Sequence, residues 1–497
     1  MGLSNLLKMA FPFLKSRQNF FLFYAVLALI SARQAFTAEY SIQDIALTPG
    51  KDISEINLAW YSTTNTNSLV QIAPKTAMQN QEFPAAASVS HYTTRSAAVS
   101  GYYSHKAVLT SLTASTEYVY RVGDGNADWS PVYELKTGAP DQFSLFAMGD
   151  PQVNDATDIA GWIATLNTAF NTFPATDFIL SVGDQVHINN DESQFAGFLS
   201  HPQLKSVPLA PALGNHDDGA YNTAYHFNLP NLSTAYGVTD PGIGNYYFTY
   251  GNMIIIVLNS NNRDGESHEV FISNAIAAHP NATWKIVMFH HDIYGAGPLL
   301  ASDSSVRTDL RTALYPVMDT YKIDLVLTGH DHLYTRTHFM KNDIPQLDQF
   351  YDENEAVIHP TGTVYFTLNS ASGSKYLDPA GTYNYAAVIS QNKVPSFSRL
   401  SVNNNQLTID TYQTDNTESP IDTLTIIKDV SLALGDVNHD TKIDIIDALS
   451  LARYSVGLVP PNFDVTLADV NCDNSVDIID ALVAAQFYVG LLSGFCK

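Results

Sequence analysis

Five apolar, strand-like runs between Phe143 and Thr328 each stop at a short cluster of glycine, aspartate, asparagine or histidine. Phe143 to Met148 stops at Gly149-Asp150, Phe178 to Val182 at Gly183-Asp184, and Val207 to Leu213 at Gly214-Asn215-His216-Asp217. Trp284 to Phe289 stops at His290-His291, and Ile323 to Thr328 at Gly329-His330-Asp331-His332. A buried strand followed by glycine lets the backbone turn sharply at the rim of a sheet. One such ending is commonplace. Five in a single stretch call for one crevice at the ends of the strands, where open α/β sheets place their ligands. Helix-like segments, such as Ile159 to Phe170 and Val306 to Tyr321, alternate with the runs in the βα pattern of an α/β domain. The pattern extends to about Lys428, and its last part returns to strands such as Leu407 to Tyr412.

The residue types indicate the chemistry. Carboxylates suit hard divalent cations, and imidazoles suit Zn, Fe or Mn. A carboxylate can also bridge two cations through its two oxygens. Two cations roughly 3.5–4 Å apart can activate a hydroxide and bind the oxygens of a phosphoryl group. A serine or cysteine nucleophile is not suggested: there is no G-x-S-x-G elbow, and both cysteines, Cys472 and Cys496, lie outside this stretch.

The flanking segments have different periods. From about Tyr40 to Thr137 short alternating strands, among them Ile56 to Tyr61 and Glu117 to Val122, are separated by turns at sandwich-like spacing. Tyr118 is expected to be a core or corner tyrosine, and Lys136-Thr137-Gly138-Ala139-Pro140 a linker. At the other end Asp436 to Leu449 returns as Asp469 to Leu482, 33 residues later. An EF-hand-type loop takes ligands from positions 1, 3, 5, 7, 9 and 12. The first copy offers Asp436, Asn438, Asp440, the Lys442 carbonyl, Asp444 and Asp447. The second offers Asp469, Asn471, Asp473, the Ser475 carbonyl, Asp477 and Asp480. Every side chain in both sets carries oxygen, so each copy is expected to hold Ca²⁺. Each copy runs into a helix-like stretch ending near Gly457 or Gly490, where glycine suits a helix C-terminus.

The N-terminus reads as a secretory signal peptide, residues 1–38. Lys8, Lys15 and Arg17 precede an apolar run from Phe20 to Ile30, well short of the ~20 residues that span a bilayer. The mature chain is expected to be secreted or held at the cell surface, with no transmembrane segment. In that compartment Cys472 and Cys496 can form a disulfide, worth about 3–4 kcal/mol by loop entropy. A net charge of −24 argues against nucleic-acid binding and against docking on anionic lipid.

The ordered set GD…GDxx…GNHD…HH…GHDH resembles the metallophosphoesterase (calcineurin-like) superfamily. The preceding sandwich, with Leu112 to Gly123 similar to a fibronectin-III-like domain, and the run His330-Asp331-His332-Leu333-Tyr334-Thr335-Arg336 make it most similar to purple acid phosphatases. The resemblance implies that Asp184 bridges two metals, that Asp150 and His332 hold the first, and that Asn215, His290 and His330 hold the second. His216 would lie over the substrate and protonate the leaving group. Tyr294 falls near the family's substrate pocket, and His291 adjoins a ligand as a supporting or packing residue. Two positions depart from the family. His187 stands where purple acid phosphatases carry the tyrosine that gives their colour, and Gln152 stands where many other members carry histidine. His187 is expected to fill the gap at the first metal, with the Gln152 carbonyl or a water as alternatives, and the enzyme is expected to be colourless.

The C-terminal repeat resembles a type I dockerin, which implies a cohesin-bearing scaffold or surface protein as partner. It departs from the type at position 6 of each loop, where Thr441 and Asn474 replace glycine. Ile445-Ile446 and Ile478-Ile479 fall where dockerins meet their partners, or else in the core.

The expected architecture is therefore multidomain: a β-sandwich over 39–139, an α/β metallophosphoesterase fold with sheets flanked by helices over 142–428, and a small α EF-hand-like dockerin over 434–497. The expected activity is hydrolysis of phosphate monoesters by metal-bound hydroxide, with a nucleotide phosphodiesterase as the near alternative. The alternative from another class is a non-catalytic surface or scaffold protein whose metal site is degraded at Gln152 and His187.

Overall fold

The computed structural model describes residues 42–496 except 64–67, 85–86, 91, 97–100, 124–128, 429–432, 439–441 and 461–462. The expected signal peptide, and Asp440 and Thr441 of the first calcium loop, lie outside the described residues.

Two four-stranded antiparallel sheets form the N-terminal unit. One contains Ile42–Pro49, Ile56–Ser62 and Tyr103–Leu109; the other contains Leu69–Pro74, Glu117–Gly123 and Tyr133–Lys136. Alternating apolar residues from both, including Leu58, Trp60, Val70, Tyr120 and Val122, form one core between them. Tyr118 is buried, and its hydroxyl accepts the Thr113 N–H at 2.8 Å, which pins a corner of the sandwich.

The central unit stacks an eight-stranded sheet against a seven-stranded one. The strands Gln142–Met148, Phe178–Ser181 and Leu209–Pro211 run parallel in the first. Met253–Val257, Trp284–Met288, Leu325–Thr328 and Val364–Thr367 run parallel in the second. Their near-continuous apolar composition matches burial on both faces. The main core draws on both sheets, with Phe146, Leu180, Met288 and Leu327 fully buried. A second core packs the outer face of the seven-stranded sheet against the helices Gly265–Ala278 and Thr312–Tyr321.

Two local expectations change. The strand expected over Val207 to Leu213 is reduced to Leu209–Pro211. Pro208 and Pro211 flank its centre and neither can donate to a ladder. The helix expected over Val306 to Tyr321 begins as a wide π-type turn, Val306–Arg311, before tightening into Thr312–Tyr321. Pro316 lacks the N–H that would bond the carbonyl of Thr312, at the junction between the two forms.

In the C-terminal unit the helices Ile445–Ser455 and Ile478–Tyr488 pack over a small core that includes Val437, Leu451, Ala481 and Ala484. Asp444 and Asp477 cap the two helices in the same way, each closing a capping box with the aspartate three residues on. Gly457 and Gly490 follow the helix ends with φ of 82° and 75°. Among the described residues no helix is long and apolar enough to cross a membrane.

Candidate metal centre

All five strand ends meet at one edge of the two stacked sheets. The turns there are unusually strained. Asp150, Gln152, Asp184, His330 and His332 all have positive φ, from 37° to 71°, at about 1–3 kcal/mol each for residues other than glycine. Hydrogen bonds hold them in place. The His330 N–H donates to both oxygens of Asp150 at 2.9 and 3.1 Å. The His216 N–H donates to Asp184 Oδ1 at 2.9 Å, and the Gln152 N–H to the Asp184 carbonyl at 2.6 Å. Asp217 accepts the N–H groups of Gly214, Gln185 and Val186. It thereby joins two of the five turns. Asp331 points away from the centre and accepts the N–H groups of Gly297, Leu299 and Leu300.

The donor atoms converge. Ligand atoms of Asp150, Asp184 and His290 lie within 4.8 Å of one another, and all three residues are buried. Around His290 Nε2 stand Asn215 Oδ1 at 3.0 Å, His330 Nδ1 at 3.1 Å and Asp184 Oδ2 at 3.4 Å. The other ring nitrogen of His290 is 3.2 Å from the Val182 carbonyl, so Nδ1 donates there, and Nε2 would offer its lone pair to a cation that displaced its proton. On the far side of Asp184, His332 Nε2 lies 3.8 Å from Asp150 Oδ1. Its Nδ1 is bound to the Lys375 carbonyl at 3.1 Å, which fixes the tautomer. Oxygen and imidazole atoms gathered at this spacing fit a pair of cations that would take the place of the proton on His290.

Electrostatics point the same way. Burial pushes Asp150 up to about 7, with His290 opposing. Burial would lower His290, but Asp184 and Asp150 override it and raise it to about 9. Asp184 is drawn below its ordinary value by His290 against the effect of burial. Burial lowers His330 to about 3 and His332 to about 4, so both rings are neutral and free to ligate. The centre concentrates negative charge in a dry setting, and a lone proton on His290 neutralises only part of it.

The remaining expected residues are placed as follows. His216 sits at the rim, its Nδ1 2.8 Å from the His187 carbonyl. The His187 ring is exposed and stacks on His216 with centroids 4.8 Å apart. His187 therefore lies against the candidate acid and outside the compact Asp150, Asp184 and His290 group. Gln152 is buried at the turn beside Asp150. His291 bonds Ser260 Oγ through Nδ1 at 2.8 Å and packs against the His330 ring, a supporting position. Tyr294 is not brought to the metals. Its hydroxyl bonds Asp343 at 2.6 Å and its ring lies under Arg311, in an aromatic cluster with Tyr365 and Tyr385. Sequence reasoning did not reach Ser260, the Lys375 carbonyl or Asp292. The two Asp292 oxygens are buried beside Asp331 with no hydrogen-bond partner among the described residues, and burial, with Asp331 adding, pushes this carboxyl well up.

In the C-terminal loops the two position-12 aspartates are fully buried and work identically. Asp447 accepts from Val437, Asn438 and Asp444 N–H groups, and Asp480 from Val470, Asn471 and Asp477. Asn474, at position 6, has a φ of 65°, the left-handed geometry for which glycine is usual and asparagine tolerable. Cys472 and Cys496 form a disulfide.

Comparison with known proteins agrees with this geometry. Residues 42–137 match the purple acid phosphatase N-terminal domain, 145–334 the calcineurin-like phosphoesterase domain, and 434–486 the dockerin type I domain. A purple acid phosphatase from yellow lupin (Lupinus luteus) seeds superposes with a TM-score of 0.63 over 79% of this chain and 75% of its own, at 18% identity. Among curated proteins, "Probable inactive purple acid phosphatase 1" of Arabidopsis thaliana is 25% identical over 47% of this chain and 44% of its own length. "Nucleotide pyrophosphatase/phosphodiesterase" of Hordeum vulgare is 23% identical over 64% of this chain and 93% of its own. The chain spans about half the length of the first curated relatives it matches. The chain thus carries a purple acid phosphatase N-terminal domain, a calcineurin-like phosphoesterase domain and a type I dockerin domain, on a fold shared with a purple acid phosphatase.

Proposed function

We propose that the protein is an exported phosphomonoesterase delivered to a cohesin-bearing scaffold by its dockerin. The observation that carries the reading is the meeting of Asn215, His330 and Asp184 around one nitrogen of His290, with Asp150 and His332 on the other side of Asp184. Two cations held there, from among Fe, Zn and Mn, would supply charge neutralisation and an activated water for attack on phosphorus. Asp184 spans the two positions. Asp150 and His332 serve the first, with His187, the Gln152 carbonyl or a water completing it. Asn215, His290 and His330 serve the second. The His187 carbonyl and ring hold His216 toward the solvent side, where it can protonate the departing alcohol. Both dockerin loops bind Ca²⁺ through the oxygen set beginning at Asp436 and Asp469. The functional units are the signal peptide 1–38, the sandwich 39–139, the catalytic domain 142–428 and the dockerin 434–497.

The test is turnover of p-nitrophenyl phosphate against its bis ester, together with metal content. The wild type should hydrolyse the monoester faster. Asp184→Asn should lose metal and activity together. His216→Ala should keep its metals and lose roughly 10²–10⁴ in rate. Faster cleavage of the bis ester would move the assignment to a phosphodiesterase. A second reading, a non-catalytic attachment protein, draws on the absence of a standard ligand at Gln152 and on relatives named as inactive. Two bound metals with no turnover would favour it.

A further inference from the structure

A second cluster of ligand-type side chains, distinct from the Asp150, Asp184 and His290 group, lies in the seam between the sandwich and the catalytic domain. Glu192 opens the helix Glu192–Phe198, and His226 closes the helix Asn222–His226. Asp44 comes from the first strand of the sandwich, Ile42–Pro49. One ligand atom from each lies within 4.8 Å of the others. We propose that Asp44, Glu192 and His226 form a divalent transition-metal site, with zinc as its cation, that fastens the sandwich to the catalytic domain.

Hydrogen bonding alone leaves part of this cluster unexplained. Glu192 is well satisfied: Oε1 accepts from Tyr61 at 3.2 Å and Asn222 at 2.6 Å, and Oε2 lies 2.7 Å from His226 Nε2. His226 is 1% exposed, and its ring is clamped between Tyr61 and Phe195, each 4.6 Å away. Its Nδ1 nonetheless has no hydrogen-bond partner among the described residues. Nε2 is the nitrogen turned toward the carboxylates, so an imidazole nitrogen already stands at the meeting point of the cluster. Asp44 is the more telling member. It sits at a β-bulge, where the pairing with Ile56–Ser62 slips between Gln43 and Ala46, with a φ of 53°. Bulges re-aim a side chain at a cost in backbone strain. Here the strain brings a second carboxylate to a seam that already holds one, and that carboxylate accepts no hydrogen bond among the described residues.

Two carboxylates beside one imidazole leave an excess of negative charge in a partly buried place. Burial raises Asp44, with His226 opposing and Glu192 adding to the rise. A proton would neutralise one carboxylate. A divalent cation would neutralise both and take the imidazole lone pair as well. One nitrogen and two carboxylate oxygens, with a fourth position open to water, are a donor set suited to zinc. The two elements joined are already in contact: Asn57 and Thr48 of the sandwich bond the Asn228 carbonyl, and Ser104 bonds the Tyr225 carbonyl. The ion would add a link that neither domain completes alone.

The experiment uses the full-length chain. Wild type, Asp44→Asn and His226→Gln are loaded with zinc, desalted and assayed for metal content and for p-nitrophenyl phosphate turnover. The wild type should hold one zinc equivalent more than Asp44→Asn, with turnover equal in the two. Asp44 is partly exposed, so this variant should fold even if His226→Gln does not. The same comparison in an Asp184→Asn background removes the catalytic metals from the count. Equal zinc content in wild type and Asp44→Asn in that background would overturn the proposal, whatever the fate of the phosphoesterase reading.

Discussion

At the scale of single residues, the metal centre depends on glycine as much as on its ligands. A Cβ on Gly214 would fall on the Asp184 carboxylate and its backbone nitrogen. Gly214→Ala should therefore leave the far-ultraviolet circular dichroism unchanged while displacing Asp184, and turnover should fall roughly 100-fold, the usual effect of a misplacement near 1 Å. Wild-type turnover in that variant would mean that Asp184 can shift without consequence. The pair His187 and His216 is resolved at the same scale. The departure from the purple acid phosphatase pattern lies against the candidate acid, so His187→Ala should lower turnover through His216. If His187 ligates the first metal instead, the same variant should also lose metal. Metal analysis of the purified variant separates the two.

At the scale of elements, the strand Tyr334–Thr337 is fastened to Asp422–Ile427 by a buried cluster. Arg336 forks onto both oxygens of Asp422 at 2.6 and 2.9 Å, and the Tyr334 hydroxyl donates to the same carboxylate at 2.6 Å. The tyrosine and arginine after His332 are therefore structural, linking one sheet to the other. Asp422→Ala leaves a partly buried guanidinium unpaired and should destabilise the central domain by about 2–3 kcal/mol, read from its urea midpoint. The helix Gly265–Ala278 carries His268, fully buried between Asn245 and the Asn262 carbonyl. Burial holds His268 below its ordinary value of 6.5, with the Asn262 carbonyl opposing. The unfolded chain thus binds a proton that the folded one resists, and stability is lost as pH falls below about 6.5. The melting temperature should drop between about pH 7.5 and 5.5, and drop less in His268→Gln; an equal drop in both would assign the effect to other groups.

At the scale of the whole molecule, the proposed calcium loops make the dockerin the unit whose stability should depend on metal. Its core is small, and the half-exposed residues Ile445, Ile446 and Leu449 on one helix are matched by Ile478, Ile479 and Leu482 on the other. These are exposed rather than core positions, which favours the partner-facing alternative. Such a unit gains stability from the disulfide across a 24-residue separation, and calcium in the proposed loops would add to it. Saturating Ca²⁺ at 1,000 times its Kd would add about 4 kcal/mol, and the disulfide about 3–4 kcal/mol. Calorimetry of the full chain should show one transition that moves down on adding EDTA and returns with calcium. A scan unchanged by EDTA would remove the calcium assignment from both loops.

The sequence by itself determined the order and type of the candidate ligands, the sandwich that precedes them and the duplicated loops that follow. Those are local signals: strand period, a glycine at the turn, oxygen at alternate loop positions, and each is set by the backbone over fewer than about fifteen residues. Asp331 could be turned away from the metals on alternation alone. What stands next to what was decided only by the tertiary structure. The His330 N–H meets Asp150 across 180 residues, and His226 meets Glu192 across 34. Strand order in two stacked sheets sets those meetings, and no spacing in the chain encodes it. For that reason His226, which as a lone histidine points to nothing, becomes a candidate ligand only when the sandwich folds Asp44 against it.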